Sequence, residues 1–124
     1  MTADNQRPEV WVGHIEMETN QLEASESFMI TLGMRPIFKT DEIAILELRA
    51  ATHLILVAKD DIKSGDASFD LMVDDLGATH GRLTEAGLSP SDIEEGRIHS
   101  WFTVRDPSGH IITVNSSHAS GLPV

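Results

Sequence analysis

Apolar and polar residues alternate through Ile15 and Met17, and again through Phe69, Leu71 and Val73, the period-two pattern of a half-buried strand. Each alternating run is followed by an apolar stripe near helical period. Leu22, Phe28, Met29 and Leu32 form the first stripe, and Leu76, Leu83 and Ala86 the second. Asn20 with Glu23 three residues on is a capping pattern for the first helix, Asp74 and Asp75 cap the second, and Gly33 and Gly87 supply the C-terminal stops. Strand-like segments follow each helix. They are Arg35–Lys39, Ile43–Leu48 and Thr52–Val57 in the first half, and Arg97–Arg105 and His110–Asn115 in the second, with a shorter strand near Leu88. Asp106-Pro107-Ser108-Gly109 joins the last two with hairpin chemistry, because proline presets φ and glycine admits positive φ.

The two halves are copies of one pattern. A shift of 54 positions lays His14-Ile15-Glu16-Met17 over Ser68-Phe69-Asp70-Leu71 and runs without a gap to Pro36 over Pro90. Leu22/Leu76, Ala24/Ala78, Gly33/Gly87 and Pro36/Pro90 are identities. One strand, one helix and three strands make a unit whose single helix covers only one face of its sheet. Two units are therefore expected to pack together within a chain or exchange between chains. The expected organisation is an N-terminal extension over residues 1–9, one domain over 10–116 made of repeats 10–58 and 67–116, and a tail over 117–124.

Composition narrows the function classes. The chain has 124 residues and 13.6 kDa, enough for one domain that needs neither disulfide nor structural metal. Nine Lys and Arg against twenty Asp and Glu give a formal charge of −11, which repels nucleic-acid backbones and anionic membranes and leaves a cationic ligand as the sharper alternative to simple solubility. No cysteine is present, so thiol nucleophiles and thiolate metal sites are excluded. No apolar run exceeds Leu54–Ala58 and Met1–Pro8 is polar, so a cytoplasmic location is expected. No glycine-rich phosphate cradle and no hydrolase-like Ser/His/Asp order occurs.

The doubled βαβββ pattern, with Ser27-Phe28 and Leu32-Gly33-Met34 around the first helix, Val73-Asp74-Asp75-Leu76 opening the second and Asp106-Pro107-Ser108-Gly109 before the last strand, resembles the vicinal oxygen chelate superfamily. This group contains glyoxalase I, bleomycin resistance proteins, fosfomycin resistance enzymes and extradiol dioxygenases. The resemblance implies an α+β fold, two βαβββ modules forming a concave curved sheet with helices outside. It also implies, for metal-dependent members, a His in the first strand and a Glu or Gln in the last strand of each module, holding a divalent Lewis acid with positions open to substrate. Here those positions carry His14, Ser68, Thr113 and, depending on register, Ile55 or Leu56. One imidazole is too little for a tight first-row metal site, so no metal is expected. A relocated site built from His14, Glu16, Asp70 and His53 is the alternative.

Strand parity assigns the concave side. His14, Glu16, Ser68, Asp70, His99, Trp101, Thr103, Ile111 and Thr113 are expected there, and Ile15, Met17, Phe69, Leu71, Phe102, Val104, Ile112 and Val114 toward the helices. Trp101 offers a flat face for stacking or for a cation. His14 and Glu16 are the candidate acid–base residues. His80, His110 and His118 are expected on the surface, and Leu88–Gly96 is expected to be a mobile loop beside the pocket. The expected function is metal-independent sequestration of an apolar or cationic small molecule by a homodimer of the bleomycin-resistance kind, with no cofactor. The rivals are a glyoxalase-like lyase or isomerase or a dioxygenase that uses one divalent metal ion, and a purely structural or regulatory interaction module.

Overall fold

The computed structural model describes residues 6–118 and 121–124, so residues 1–5 of the expected extension and 119–120 of the expected tail lie outside the described residues. The first half forms β1 (His14–Thr19), α1 (Leu22–Leu32), β2 (Arg35–Lys39), β3 (Ile43–Glu47) and β4 (His53–Ala58). The second forms β5 (Leu71–Val73), α2 (Leu76–Glu85), β6 (Glu94–Glu95), β7 (Ser100–Arg105) and β8 (Ile111–Ser116). Each half closes its own four-stranded sheet, in the order β1-β4-β3-β2 and β5-β8-β7-β6. In each sheet the first strand runs parallel to the last and the other pairs are antiparallel. The fold is α+β, two βαβββ modules, as expected. Among the described residues no helix is long and apolar enough to cross a membrane.

The register makes the two sheets comparable residue by residue. Met17 pairs with Leu56 as Leu71 pairs with Val114, so Leu56 and Val114 correspond, and with them Ile55 and Thr113. Stepping across the next ladder, Ala44 corresponds to Phe102 and Leu46 to Val104. The inward positions Ala44, Leu46, Leu56, Phe102, Val104 and Val114 are fully or nearly fully buried, while Ile55 and Thr113 lie on the opposite face. Burying such side chains stabilises by about 1.5–3 kcal/mol each, which is why alternate residues of every central strand are apolar.

Several local expectations are corrected. α1 begins after Gln21 with no side-chain cap of its own; Thr19 Oγ1, not Asn20, accepts the Gln21 N–H at 3.0 Å. Asp75 does cap α2, accepting the Ala78 N–H at 2.9 Å. The short strand lies at Glu94–Glu95 rather than near Leu88, and Leu88–Gly96 is tied to β7: Ser91 N–H donates to the Thr103 carbonyl and Thr103 N–H to Ser91 Oγ. β5 is only three residues long. Asp66 bridges Ile111 and Leu71 pairs with Val114, so four residues of the first strand face two of β8 and bulge away from the ladder.

A buried polar latch joins the modules. Thr19 Oγ1 lies 2.7 Å from Ser25 Oγ, which donates to Asp106 Oδ2 at 2.7 Å. Asp106 Oδ1 also accepts from the Ser108 and His110 N–H groups at 3.1 and 2.9 Å. His110 Nε2 lies 2.6 Å from the Glu18 carbonyl oxygen, which requires the Nε2-protonated tautomer. Thr19, Ser25, Asp106 and His110 are all buried, so His110 is a structural residue rather than a surface one. A buried carboxylate is tolerated because each oxygen has donors. On another side of the contact, Arg82 of α2 donates to the carbonyls of Thr31 and Leu32, the unpaired C-terminal end of α1, at 2.5 and 2.9 Å.

Candidate functional site

The faces of the two sheets turned away from the helices carry the candidate chemistry. On the first, β1 presents His14 and Glu16 beside His53 and Ile55 of β4. His14 is exposed, and its ring centroid lies 6.0 Å from that of His53. His53 Nε2 is 3.1 Å from Glu47 Oε2, and Glu47 is also paired with Arg35. The Arg35 guanidinium, with His53 second, holds the Glu47 carboxyl below its ordinary value. Around this polar row, Ile43, Ile45, Ile55 and Val57 are only half-buried. This face is thus a hydrocarbon floor with an imidazole pair and one neutralised carboxylate along its edge.

On the second face, Trp101, Thr103 and Thr113 share one side of β7 and β8, with Asn115 buried beside them. Glu94 of β6 pairs in register with Trp101 and so stands on the same side. Trp101 is positioned closely. A Cβ on Gly96 would lie 2.9 Å from the Trp101 ring and 2.9 Å from the His99 carbonyl oxygen, so only glycine lets the β6–β7 turn pass over the indole. His99 contacts Trp101 edge to face at 6.0 Å between centroids, and His118 lies 5.1 Å from His99 on the other side. His99 Nδ1 is buried with no hydrogen-bond partner among the described residues.

Not all expected site residues meet. Ser68 and Asp70 precede β5 on the bulged stretch, and Asp70 lines a groove between the modules instead of continuing the β5 ladder. A bulge is invisible to parity counting, because alternation assumes one residue opposite one. His80 is also misjudged by periodicity alone: half-buried, it sets Nε2 2.9 Å from the Ser91 carbonyl and packs its ring edge on Phe102 at 5.1 Å. Glu94 and Gly96 were missed as site residues, since nothing local in Glu94-Glu95-Gly96 announces a two-residue edge strand.

The register settles which residue occupies the last-strand position of the first module. It is Ile55, on the His14 side of β4, while Leu56 is fully buried. The four positions implied for a chelating metal therefore hold an imidazole, two hydroxyls and a hydrocarbon, a donor set that does not fit a divalent transition ion. Among the described residues no three His, Asp or Glu side chains are grouped closely enough to share one.

No family model matches the sequence, and no curated protein sequence matches it. Solved structures do match the fold. A lactoylglutathione lyase from Agrobacterium tumefaciens superposes with a TM-score of 0.77 at 14% identity, over 94% of this chain and 100% of that one. A glyoxalase/bleomycin resistance protein/dioxygenase from Alicyclobacillus acidocaldarius gives 0.69 at 16% identity, over 96% and 100%. A member of the same superfamily from Sphaerobacter thermophilus gives 0.72 at 18% identity, over 87% and 98%. With the doubled βαβββ topology, these likenesses establish that the chain has the fold of the glyoxalase/bleomycin resistance/dioxygenase, or vicinal oxygen chelate, superfamily.

Proposed function

We propose that this protein is a metal-independent small-molecule binding protein, a cytoplasmic homodimer that sequesters an apolar or cationic ligand on its concave faces. The observation that carries the reading is the pair Ile55 and Thr113: where the resemblance implies a Glu or Gln in a chelating member, this chain places a hydrocarbon and a hydroxyl in matching register. A ligand here is held by shape, by aromatic contact with Trp101 and by the carboxylates of Glu16 and Glu94, which favour a cation over an anion. His14, Thr103 and Thr113 supply hydrogen bonds, and His99 braces the indole.

Support for pairing comes from the surface. Ile37 and Phe38 on β2 are 49% and 52% exposed, and Ile98 beside β7 is 77% exposed, apolar side chains that a second copy would cover. Sedimentation equilibrium is expected to give twice the chain mass.

The test combines elemental analysis of untagged protein with titration of benzyltrimethylammonium in a Trp11→Phe background, where Trp101 is the sole indole. Saturable change in Trp101 emission without stoichiometric metal supports the reading. Stoichiometric Zn, Ni, Mn or Fe lost on His14→Ala substitution overturns it in favour of a metal-dependent lyase, isomerase or dioxygenase. Absence of any saturable change overturns the cationic ligand.

A further inference from the structure

The two modules are related by an approximate twofold repeat, yet their junction is not symmetric. By the correspondences of register and repeat, the latch residues Thr19, Ser25, Asp106 and His110 map onto Val73, Thr79, Leu48 and Thr52. All four of these counterparts line a groove of about 720 Å³ between the modules. Where one side of the junction is filled by a carboxylate, an imidazole and two hydroxyls bonded to one another, the other side carries Leu48 and Val73 with the hydroxyls of Thr52 and Thr79 and stands open.

Ile15, Leu32, Phe69 and Leu71 complete the walls. Ile15 on β1 and Leu71 on β5 face the helices, Leu32 ends α1 and Phe69 precedes β5, and neither His14 nor Trp101 lines the groove, so it is separate from the site described above. Its rim is charged. Arg49 is paired with Asp74 across the modules, and Asp75 is engaged in capping α2. Asp70 is exposed at the same rim and pairs with no cation among the described residues. The rim therefore carries three carboxylates against one guanidinium, and Asp70 is the carboxylate that neither an ion pair nor a helix cap engages, above a largely apolar interior of a size typical for small-molecule sites, about 300–1,000 Å³.

We propose that this groove is a second ligand site, one that takes an amphipathic organic cation: an apolar body against Ile15, Leu48, Phe69 and Leu71, and an ammonium at Asp70. Charge complementarity selects the cation, since an anion would face Asp70, Asp74 and Asp75 with only the already paired Arg49 to receive it. The chain supplies its own reporter. Trp11 donates its indole N–H to the Ala50 carbonyl at 2.6 Å, next to Arg49 and Val12 on the groove wall.

The experiment uses the full chain carrying Trp101→Leu, which leaves Trp11 as the only indole and removes the aromatic contact at position 101. Octyltrimethylammonium below its micellar range is expected to shift Trp11 emission saturably, with octyl sulfate at least about tenfold weaker. Asp70→Asn is expected to weaken the cation about tenfold and leave octanol unchanged. Thr79→Phe, which fills the groove from the face of α2 that Thr79 shares with Leu76 and Leu83, is expected to abolish both. No saturable shift, equal affinity for octyl sulfate, or cation binding that survives Thr79→Phe in a folded protein would overturn the proposal. Loss of a dimer in Thr79→Phe with cation binding retained would assign the groove to a second copy and overturn it as well. Because Trp101 is absent throughout, these outcomes are independent of the concave-face titration.

Discussion

In the first module the aromatic ring of the core comes from the helix, as Phe28, and the strand position beneath is Ala44. In the second the strand carries Phe102, and the helix position that corresponds to Phe28 is Arg82, which leaves the core to bond the end of α1. Phe28, Ala44 and Phe102 are buried, whereas Arg82 is exposed. The same βαβββ frame thus accepts a large residue from either layer, provided the other layer is small or turned out of the core at that point. The concave faces follow no such rule of compensation. Ile43 corresponds to Trp101 and Ile45 to Thr103, so hydrocarbon on one sheet faces no matching demand on the other. Packing constrains volume between layers; an open face is constrained only by what it binds.

The largest effect should come from breaking the core half of this comparison. Phe102→Ala is expected to cost about 3–5 kcal/mol, and Ala44→Leu about 1–3 kcal/mol through overpacking under Phe28. Denaturant unfolding checks both; changes below about 1 kcal/mol in each would show that the two layers do not compensate as described.

Next is the junction. Asp106→Leu gives the latch the residue found at its counterpart Leu48, and strands Ser25 Oγ and the Ser108 and His110 N–H groups without an acceptor. The expected cost is about 3 kcal/mol, read from thermal unfolding. The reverse substitution, Leu48→Asp, is expected to be destabilising too, because Thr52 cannot complete the network.

A smaller effect distinguishes the two hairpins. Gly109 at φ 96° closes the β7–β8 turn, and its counterpart in the β3–β4 turn is Ala51 at φ 64°. An L side chain there costs roughly 1–2 kcal/mol, so Ala51→Gly is expected to stabilise the chain by about 1 kcal/mol, whereas Gly109→Ala destabilises it.

The smallest prediction concerns Glu47, whose counterpart on β7 is Arg105. Because Arg35 and His53 lower the Glu47 carboxyl in the folded chain, its contribution to stability is complete above the ordinary carboxylate range and fades as pH falls through the lowered value. Arg35→Ala should flatten that acid limb; an unchanged acid profile would show that the pair contributes nothing beyond the exposed surface.

Much of this architecture was legible in the order of residues. Period-two alternation located β1 and the central strands, the stripes ending at Gly33 and Gly87 located both helices, and the repeat predicted two modules of identical topology. Those features are local, set by backbone geometry and by the need of each segment to bury one face. The chain itself also fixed the absence of thiol chemistry, the acidic balance and the hydrocarbon at the last-strand position of the first module, whichever register held.

The tertiary structure decided the rest, because it depends on partners distant in the chain. The cross-strand register chose Ile55 over Leu56, and the bulge before β5 moved Asp70 from a strand face to the rim of a groove. His110 became an interior residue, and His80 a half-buried one, only once Glu18 and Phe102 stood beside them. The latch and its hollow counterpart arise between residues some eighty positions apart or in different modules, so no window along the sequence contains both sides. Periodicity specifies which face a residue presents, while the packing of one module against the other specifies what that face meets.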